Sequence, residues 1–260
     1  MDREEALALS GVVVVLILMV AGSGVEWGLP KGRTAVKEQY SRGPATGAGA
    51  GHARVVLLAV DGSGKGLTGE AIATVAPGSG RIMIDIGGSL PHTDVQESIR
   101  IAAKVASDVS GRSLEGVDVS YAFLSPAEVV EGPSAGASLA IATIAALENR
   151  TIREDVAITG SLEEDGSITG TSGIMEKARA AREANVSLML MPLRLGSDAG
   201  AYIRQEGCST EGGAEYCRTD YVPDIGRLSE EAGIMIAAVN NITDAMKYFF
   251  EPGTGLEGRA

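Results

Sequence analysis

Histidine, cysteine and aromatic residues are scarce in this 260-residue sequence, and positive charge is outnumbered. It contains two histidines and two cysteines, and Cys208 and Cys217 lack the paired spacing of a zinc site. We therefore expect no metal centre and no cofactor. The formal net charge is -12 and no cluster of Lys and Arg occurs, so a nucleic-acid partner is not expected. Aromatic residues make up 4% of the chain and apolar residues 45%, which predicts a packed, mainly aliphatic core.

One long uncharged run covers residues 6–25. The whole run has 20 residues and is most densely apolar at 12–20. It therefore lies between a signal-peptide core of about 7–15 apolar residues and a bilayer-spanning helix of about 20. The preceding residues 1–5 are net acidic, which is unfavourable for a signal peptide. The pattern thus favours an uncleaved anchor over a cleaved signal at residues 1–25, and a membrane location. The Lys and Arg residues after the run place the remainder in the cytoplasm, whereas a Cys208–Cys217 disulfide would argue the reverse. Both the membrane side and the state of the two cysteines stay open.

The rest of the chain divides by composition. Residues 26–53 are rich in Gly, Ala and Ser and predict a flexible tether, residues 54–250 a folded domain, and residues 251–260 a tail. Hydrophobic periodicity predicts strands at 54–61, 70–76, 81–87, 117–124, 156–159, 167–169 and 187–191, and helices at 94–110, 133–147, 173–185 and 243–250. The segments 156–159 and 167–169 are predicted to flank a turn at 165–166. Strands and helices mixed without strict alternation predict an α+β domain.

Two apparent motifs fail against their templates. Residues 61–66 suggest a phosphate loop, but the template needs Gly at 59 and Ser or Thr at 66, where this chain has Ala59 and Gly66. Residues 132–136 match the G-x-S-x-G nucleophile elbow, which requires a histidine later in the chain. Both histidines precede Ser134, so the elbow interpretation is excluded.

A lysine is the better candidate for a catalytic base. His52 ends the tether and His92 lies in a turn-like stretch, neither of which predicts a rigidly held base. Of six lysines, only Lys177 and Lys247 follow Ser134. Lys177 falls on the apolar face of helix 173–185, where a lone lysine usually extends its amine to water. Alternatively the amine is desolvated; working near neutrality then requires its pKa to fall about three units, roughly 4 kcal/mol.

Ser134 has its own physical case. Gly132 and Pro133 set a tight entry to a helix of small residues. Backbone N–H groups and the positive dipole end at a helix N-terminus can hold the oxyanion of a tetrahedral intermediate. The alternative is an ordinary N-cap serine.

Several segments together resemble the proteolytic domain of the Lon protease family. They are 132–136, 155–160, 173–177 with 180–181, and 191–192, and the similarity covers most of residues 54–250. The resemblance implies a Lon-type, ribosomal-protein-like α+β fold that often assembles into homo-oligomeric rings. It also implies a Ser-Lys dyad, with Ser134 as nucleophile, Lys177 as general base and Thr159 helping to hold the amine. The sequence departs from the family by lacking an AAA+ motif, and residues 195–228 read as an insertion.

Residues and resemblance together predict an ATP-independent serine endopeptidase that hydrolyses unfolded proteins or peptides. The alternative from another class is a non-catalytic, Lon-like binding or regulatory module of a membrane complex. A binding module would need no serine, lysine and threonine in combination, which favours the enzyme.

Overall fold

The computed structural model describes residues 50–193, 202–212 and 214–250. The strands are β1 Gly51–Val60, β2 Gly66–Pro77, β3 Ile82–Asp85, β4 Leu90–Pro91, β5 Val117–Leu124, β6 Val129–Val130, β7 Val156–Ile158, β8 Ser161–Leu162, β9 Ile168–Thr169, β10 Leu188–Pro192, β11 Tyr202–Glu211, β12 Ala214–Pro223 and β13 Met235–Val239. The helices are α1 Thr93–Ser110, α2 Gly136–Glu148, α3 Ile174–Glu183, α4 Ile225–Ala232 and α5 Ile242–Phe250. The predicted α+β class is confirmed.

The larger sheet has four strands in the order β1-β2-β5-β3. β1 and β2 form an antiparallel hairpin closed by the Gly-rich turn 61–65, as the turn interpretation of that stretch predicts. Tyr121 and Phe123 of β5 point to one face at period two and are fully buried. This face forms one wall of the main core.

A second sheet has three parallel strands in the order β13-β10-β7. Every residue of β10 is buried, as expected for a central parallel strand covered on both faces. Helix α2 packs against the first sheet and also contacts α1, α5 and β7. Its run of Ala, Gly and Ser lets these elements approach closely, and residues 136–146 are all buried.

Helix α3 lies across β1 and β2. It is amphipathic, with Ile174, Ala178 and Ala181 buried toward β10 and its neighbours. A Cβ at Gly66 of β2 would collide with the backbone oxygen of Glu176, so glycine at this position permits the close approach of the helix. Because Lys177 lies on α3, the packing of this helix determines where the lysine side chain lies.

The two strands predicted on either side of the 165–166 turn belong to different sheets. β7 pairs in parallel with β10, and the turn joins the short strands β8 and β9. The chain bends after β7 at Gly160, whose φ of 153° is unusual for other residues, so β7 pairs with β10 while β8 begins a separate hairpin with β9.

Sequence patterns did not reveal β11, β12, α4 or β13. The first two form a ten-pair antiparallel hairpin within the predicted insertion, packing mainly against each other. Cys208 and Cys217 face each other in this hairpin with Cα atoms 4.0 Å apart and form a disulfide. Of the two states that the sequence left open, the structure has the bonded one.

The structure corrects the predicted membrane location. Across residues 50–193, 202–212 and 214–250, no helix is both long and apolar enough to cross a bilayer. The run at 1–25, from which an anchor was predicted, lies outside the described residues, as do the tail 251–260 and all but the end of the tether at 26–53.

Candidate active site

Ser134 lies in a short 3-10 turn, Pro133–Ala135, directly before α2. Gly132 enters the turn with φ 90° and ψ 138°, a conformation that is essentially restricted to glycine. Pro133 then occupies the first position of the turn, where its missing N–H costs nothing. Ser134 itself is half-buried, so its hydroxyl sits between the core and the surface.

The backbone around Ser134 is tied to the end of β7. The N–H of Gly160 donates to the carbonyl oxygen of Ser134 at 2.9 Å, and the N–H of Ala137 donates to the carbonyl of Gly160 at 3.2 Å. One turn into α2, the Ser138 hydroxyl donates to the carbonyl of Ile158 at 2.8 Å. These bonds fix the serine turn against the strand that leads into Thr159.

Lys177 is buried on the apolar face of α3, with 4% of its surface exposed. Its Nζ lies 3.0 Å from Oγ of Ser134. The two side chains come from elements 43 residues apart in sequence, and the packing of α3 on the sheet brings them together. The structure therefore juxtaposes the two residues that the sequence selected, and the amine is not extended to solvent.

Two buried threonines contact the same amine. Lys177 Nζ lies 3.2 Å from Oγ1 of Thr159 and 2.7 Å from Oγ1 of Thr171, and the two hydroxyl oxygens are 3.4 Å apart. The sequence had selected Thr159 only. Thr171 was missed because it lies in a Thr- and Gly-rich turn. Gly173, two residues later, has φ 66° and caps the N-terminus of α3, the helix that carries Lys177.

An ion pair secures the start of β7, the strand that leads into Thr159. The Arg153 guanidinium forms two bonds to the Asp155 carboxylate, at 2.7 and 3.0 Å, and the Ser187 hydroxyl donates at 2.6 Å. The guanidinium, followed by the hydroxyl, lowers the pKa of Asp155 to about 2. The carbonyl of Asp155 also accepts the N–H groups of Ser187 and Leu188, which holds β7 in register with β10.

The two histidines, both within the described residues, make no hydrogen bond to Ser134. His52 is exposed on β1, opposite Thr74 of β2. His92 precedes α1, and its Nδ1 lies 3.2 Å from Oδ1 of Asp94. The geometry thus favours the lysine over a histidine as the partner of the serine.

Within the described part of the chain, neither a group of potential metal ligands nor the cavity beside β2 and β5 includes Ser134 or Lys177. In the described ranges, the one group of three potential metal ligands is Cys208, Glu215 and Cys217, whose two sulfurs are already bonded to each other. A cavity of about 350 Å³ opens beside the ends of β2 and β5, with Gly69, Phe123 and Ser125 among its lining residues. Ser134 and Lys177 do not line it.

Comparisons with known proteins identify relatives of this chain. Residues 57–199 match the Lon protease (S16) C-terminal proteolytic domain, a span that contains Ser134, Thr159, Thr171 and Lys177. The chain is 36% identical over 143 residues to the archaeal Lon protease of Thermococcus kodakarensis, and the matched segment covers 54% of this chain and 22% of that relative. It is 32% identical over 160 residues to the archaeal Lon protease of Methanothermobacter thermautotrophicus, covering 60% of this chain and 24% of the relative. The matched segments thus span less than a quarter of these relatives.

Proposed function

Because this chain belongs to the Lon protease (S16) C-terminal proteolytic domain family, we propose that it is a serine-type endopeptidase in which Ser134 is the nucleophile and Lys177 the general base. The observation that carries the proposal is the 3.0 Å separation of Lys177 Nζ and Ser134 Oγ, with the amine buried. That distance lies within the reach required for proton transfer between a nucleophile and its base.

The surroundings of the amine suit a base that starts neutral. Burial disfavours the ammonium form of a lysine relative to the free amine. A neutral amine has two N–H donors and one lone pair. The hydroxyl oxygens of Thr159 and Thr171 lie within reach to accept N–H groups from this amine, and we assign its lone pair to the hydroxyl of Ser134. Supporting roles for both threonines follow from this arrangement.

The proposed reaction has two halves. Ser134 Oγ attacks the peptide carbonyl carbon while Lys177 takes the hydroxyl proton, giving a tetrahedral oxyanion. The backbone N–H of Ser134, at the turn leading into α2, is assigned to that oxyanion. The C–N bond then breaks, Lys177 returns the proton to the leaving amine, and an ester to Ser134 remains. Water, deprotonated by Lys177, hydrolyses this acyl-enzyme and restores both residues.

The substrate class proposed is an unfolded or flexible polypeptide. Every group assigned to the chemistry lies between residues 132 and 177, and none of the steps consumes a nucleotide, so hydrolysis of flexible chains should not require ATP. Assembly into a homo-oligomeric ring is also proposed, on the family resemblance alone. Gly132 and Pro133 contribute by shaping the turn that presents Ser134.

The test is cleavage of a casein-like substrate by the purified chain without nucleotide. Ser134→Ala and Lys177→Ala should each abolish cleavage while leaving the thermal unfolding transition in place. Lys247→Ala is the matched control, because Lys247 is an exposed lysine on α5 that pairs with Asp244. It should cleave at the wild-type rate. Cleavage that survives either of the first two substitutions would refute the dyad. A folded wild-type chain that neither cleaves substrate nor reacts with a serine probe would favour the non-catalytic module.

A further inference from the structure

The segment that leads into Ser134 is held from a second side, by the first turn of α1. Asp94 Oδ2 accepts the backbone N–H of Gly132 at 2.9 Å. The hydroxyl of Ser98, which is 5% exposed, donates to the carbonyl of Asp94 at 3.0 Å and to the carbonyl of Pro133 at 3.4 Å. Two of the peptide groups that precede the nucleophile are therefore bonded to one helix.

Asp94 is itself fixed to that helix. Its Oδ1 accepts the N–H of Val95 at 2.8 Å, so one carboxylate oxygen is anchored in α1 while the other reaches the serine turn. Burial would raise the pKa of Asp94, but the N–H groups of Gly132 and Val95, with the His92 ring, outweigh that effect and hold the pKa below its usual range. The side chain is an anion with two acceptor oxygens, and each takes a separate backbone donor.

Backbone chemistry explains why Gly132 is the point of attachment. Pro133 has no N–H, and the N–H of Ser134 is assigned above to the oxyanion. Gly132 thus carries the last backbone donor before Ser134 that can be used to hold the turn. Gly132 also has a φ of 90°, and because glycine populates positive and negative φ about equally, a bond to its N–H helps to hold this conformation.

We propose that Asp94 is a positioning residue for the peptidase reaction: its carboxylate holds the Gly132 peptide and thereby sets Ser134 Oγ relative to Lys177 Nζ. The inference rests on the function proposed above. Asp94 makes no contact with the substrate in this proposal, and it acts on Ser134 through the backbone at Gly132. Gly160 fixes the serine turn on the β7 side, and Asp94 fixes it on the α1 side.

The test measures two rates on the full chain. One is the labelling rate with a fluorophosphonate, and the other is peptide hydrolysis, resolved into kcat and KM. For Asp94→Ala we expect both labelling and kcat to fall by about 10- to 100-fold, because small displacements of reacting groups have effects of this size. KM should stay unchanged. Asp94→Asn offers one acceptor oxygen instead of two, so its rates should lie between those of the alanine variant and the wild type.

Two matched controls separate positioning from general effects on α1. Glu97→Gln removes a carboxylate one turn further along the helix, where it pairs with Arg100 and does not touch Gly132. His92→Ala removes a neighbour of Asp94 but keeps the bond to Gly132. Both should retain the wild-type rates within about twofold, as surface substitutions generally do. Amide exchange at Gly132 should be faster in Asp94→Ala than in either control.

The outcomes distinguish this inference from the proposed function. If the wild type neither cleaves substrate nor is labelled, or if Ser134→Ala or Lys177→Ala remains active, the proposed peptidase reaction itself is refuted and the inference falls with it. If those variants are dead but both Asp94 variants label and turn over like the wild type, only the positioning role is refuted. A rise in KM at unchanged kcat would also refute it. If Asp94→Ala no longer unfolds cooperatively, the labelling rate and kcat of Asp94→Asn decide whether Asp94 has the positioning role.

Discussion

Replacing Thr171 by valine tests whether the hydroxyls around the lysine amine contribute to its reactivity. Valine keeps the shape of the side chain and removes the oxygen that lies 2.7 Å from Lys177 Nζ. Thr171 is buried, with 6% of its surface exposed, so water cannot readily replace the lost acceptor. The amine would keep its contacts to Ser134 and Thr159 but lose the shortest of the three hydroxyl contacts described above.

The expected magnitude follows from the change in charge during the reaction. As Lys177 takes the proton from Ser134, the bond to Thr171 becomes a charge-assisted one and strengthens. Bonds of that kind contribute about 1.5–3 kcal/mol. An interaction realised mainly in the transition state acts on kcat. With each 1.36 kcal/mol equal to a factor of ten, kcat should fall by about 10- to 100-fold.

The assay is steady-state hydrolysis of a fluorogenic peptide, with thermal unfolding measured in parallel. Thr171→Val should lower kcat and leave KM unchanged, because the side chain is buried and does not meet substrate. Thr171→Ser keeps the hydroxyl and should retain most of the activity. Thr159→Val removes the longer 3.2 Å contact and should cost less than Thr171→Val. Wild-type kcat in Thr171→Val, or equal losses in the valine and serine variants, would refute the reasoning.

Three further predictions concern the frame around the site. The Arg81 guanidinium and the backbone N–H groups of Arg81 and Ser79 donate to the Asp118 carboxylate and hold its pKa well below the usual range. The resulting stabilisation is present above the pKa of the unfolded chain, about 4, and is lost as the pH falls toward the pKa of the folded protein. Asp118→Asn should therefore lower Tm at pH 7, and the difference from wild type should narrow in scans below pH 4; a constant difference would contradict this. Gly66→Ala should displace α3, lower kcat and reduce the free energy of unfolding in denaturant by about 1–3 kcal/mol. Gly62 has open space around it, so Gly62→Ala should change neither kcat nor the free energy of unfolding. Equal effects of the two substitutions would show that packing at α3 is not responsible. Replacing Cys208 and Cys217 by serine should speed amide exchange within their hairpin and leave kcat unchanged, since the hairpin packs mainly against itself; a large loss of kcat would link the hairpin to the site.

Hydrophobic periodicity in the sequence was sufficient to predict the elements that bury one face. Strand 117–124 alternates apolar and polar residues and is found with those bounds. Lys177 was placed on the apolar side of its helix by the same reasoning, and it is buried. These patterns survive folding because each face of such an element has a fixed environment, on the core or toward solvent.

Contacts between distant elements were not accessible in this way. Nothing in the spacing of Thr171 or Asp94 indicates that one reaches Lys177 and the other reaches Gly132, since both contacts depend on how turns and helices pack. The pairing of segment 156–158 with β10 was missed for the same reason. The hairpin 202–223 gave no signal because its two strands pack mainly against each other, and the side chains described in its middle, at 207–210 and 215–217, are exposed on both faces.

The central claim is that a buried lysine amine activates one serine hydroxyl, and the most direct measurement is the site of modification by a fluorophosphonate. Mass spectrometry of the treated wild-type chain should find the adduct on Ser134. Lys177→Arg should give no adduct, because a guanidinium in place of the amine cannot accept the proton. An adduct on another residue, or labelling of Ser134 at an equal rate in Lys177→Arg, would contradict the account.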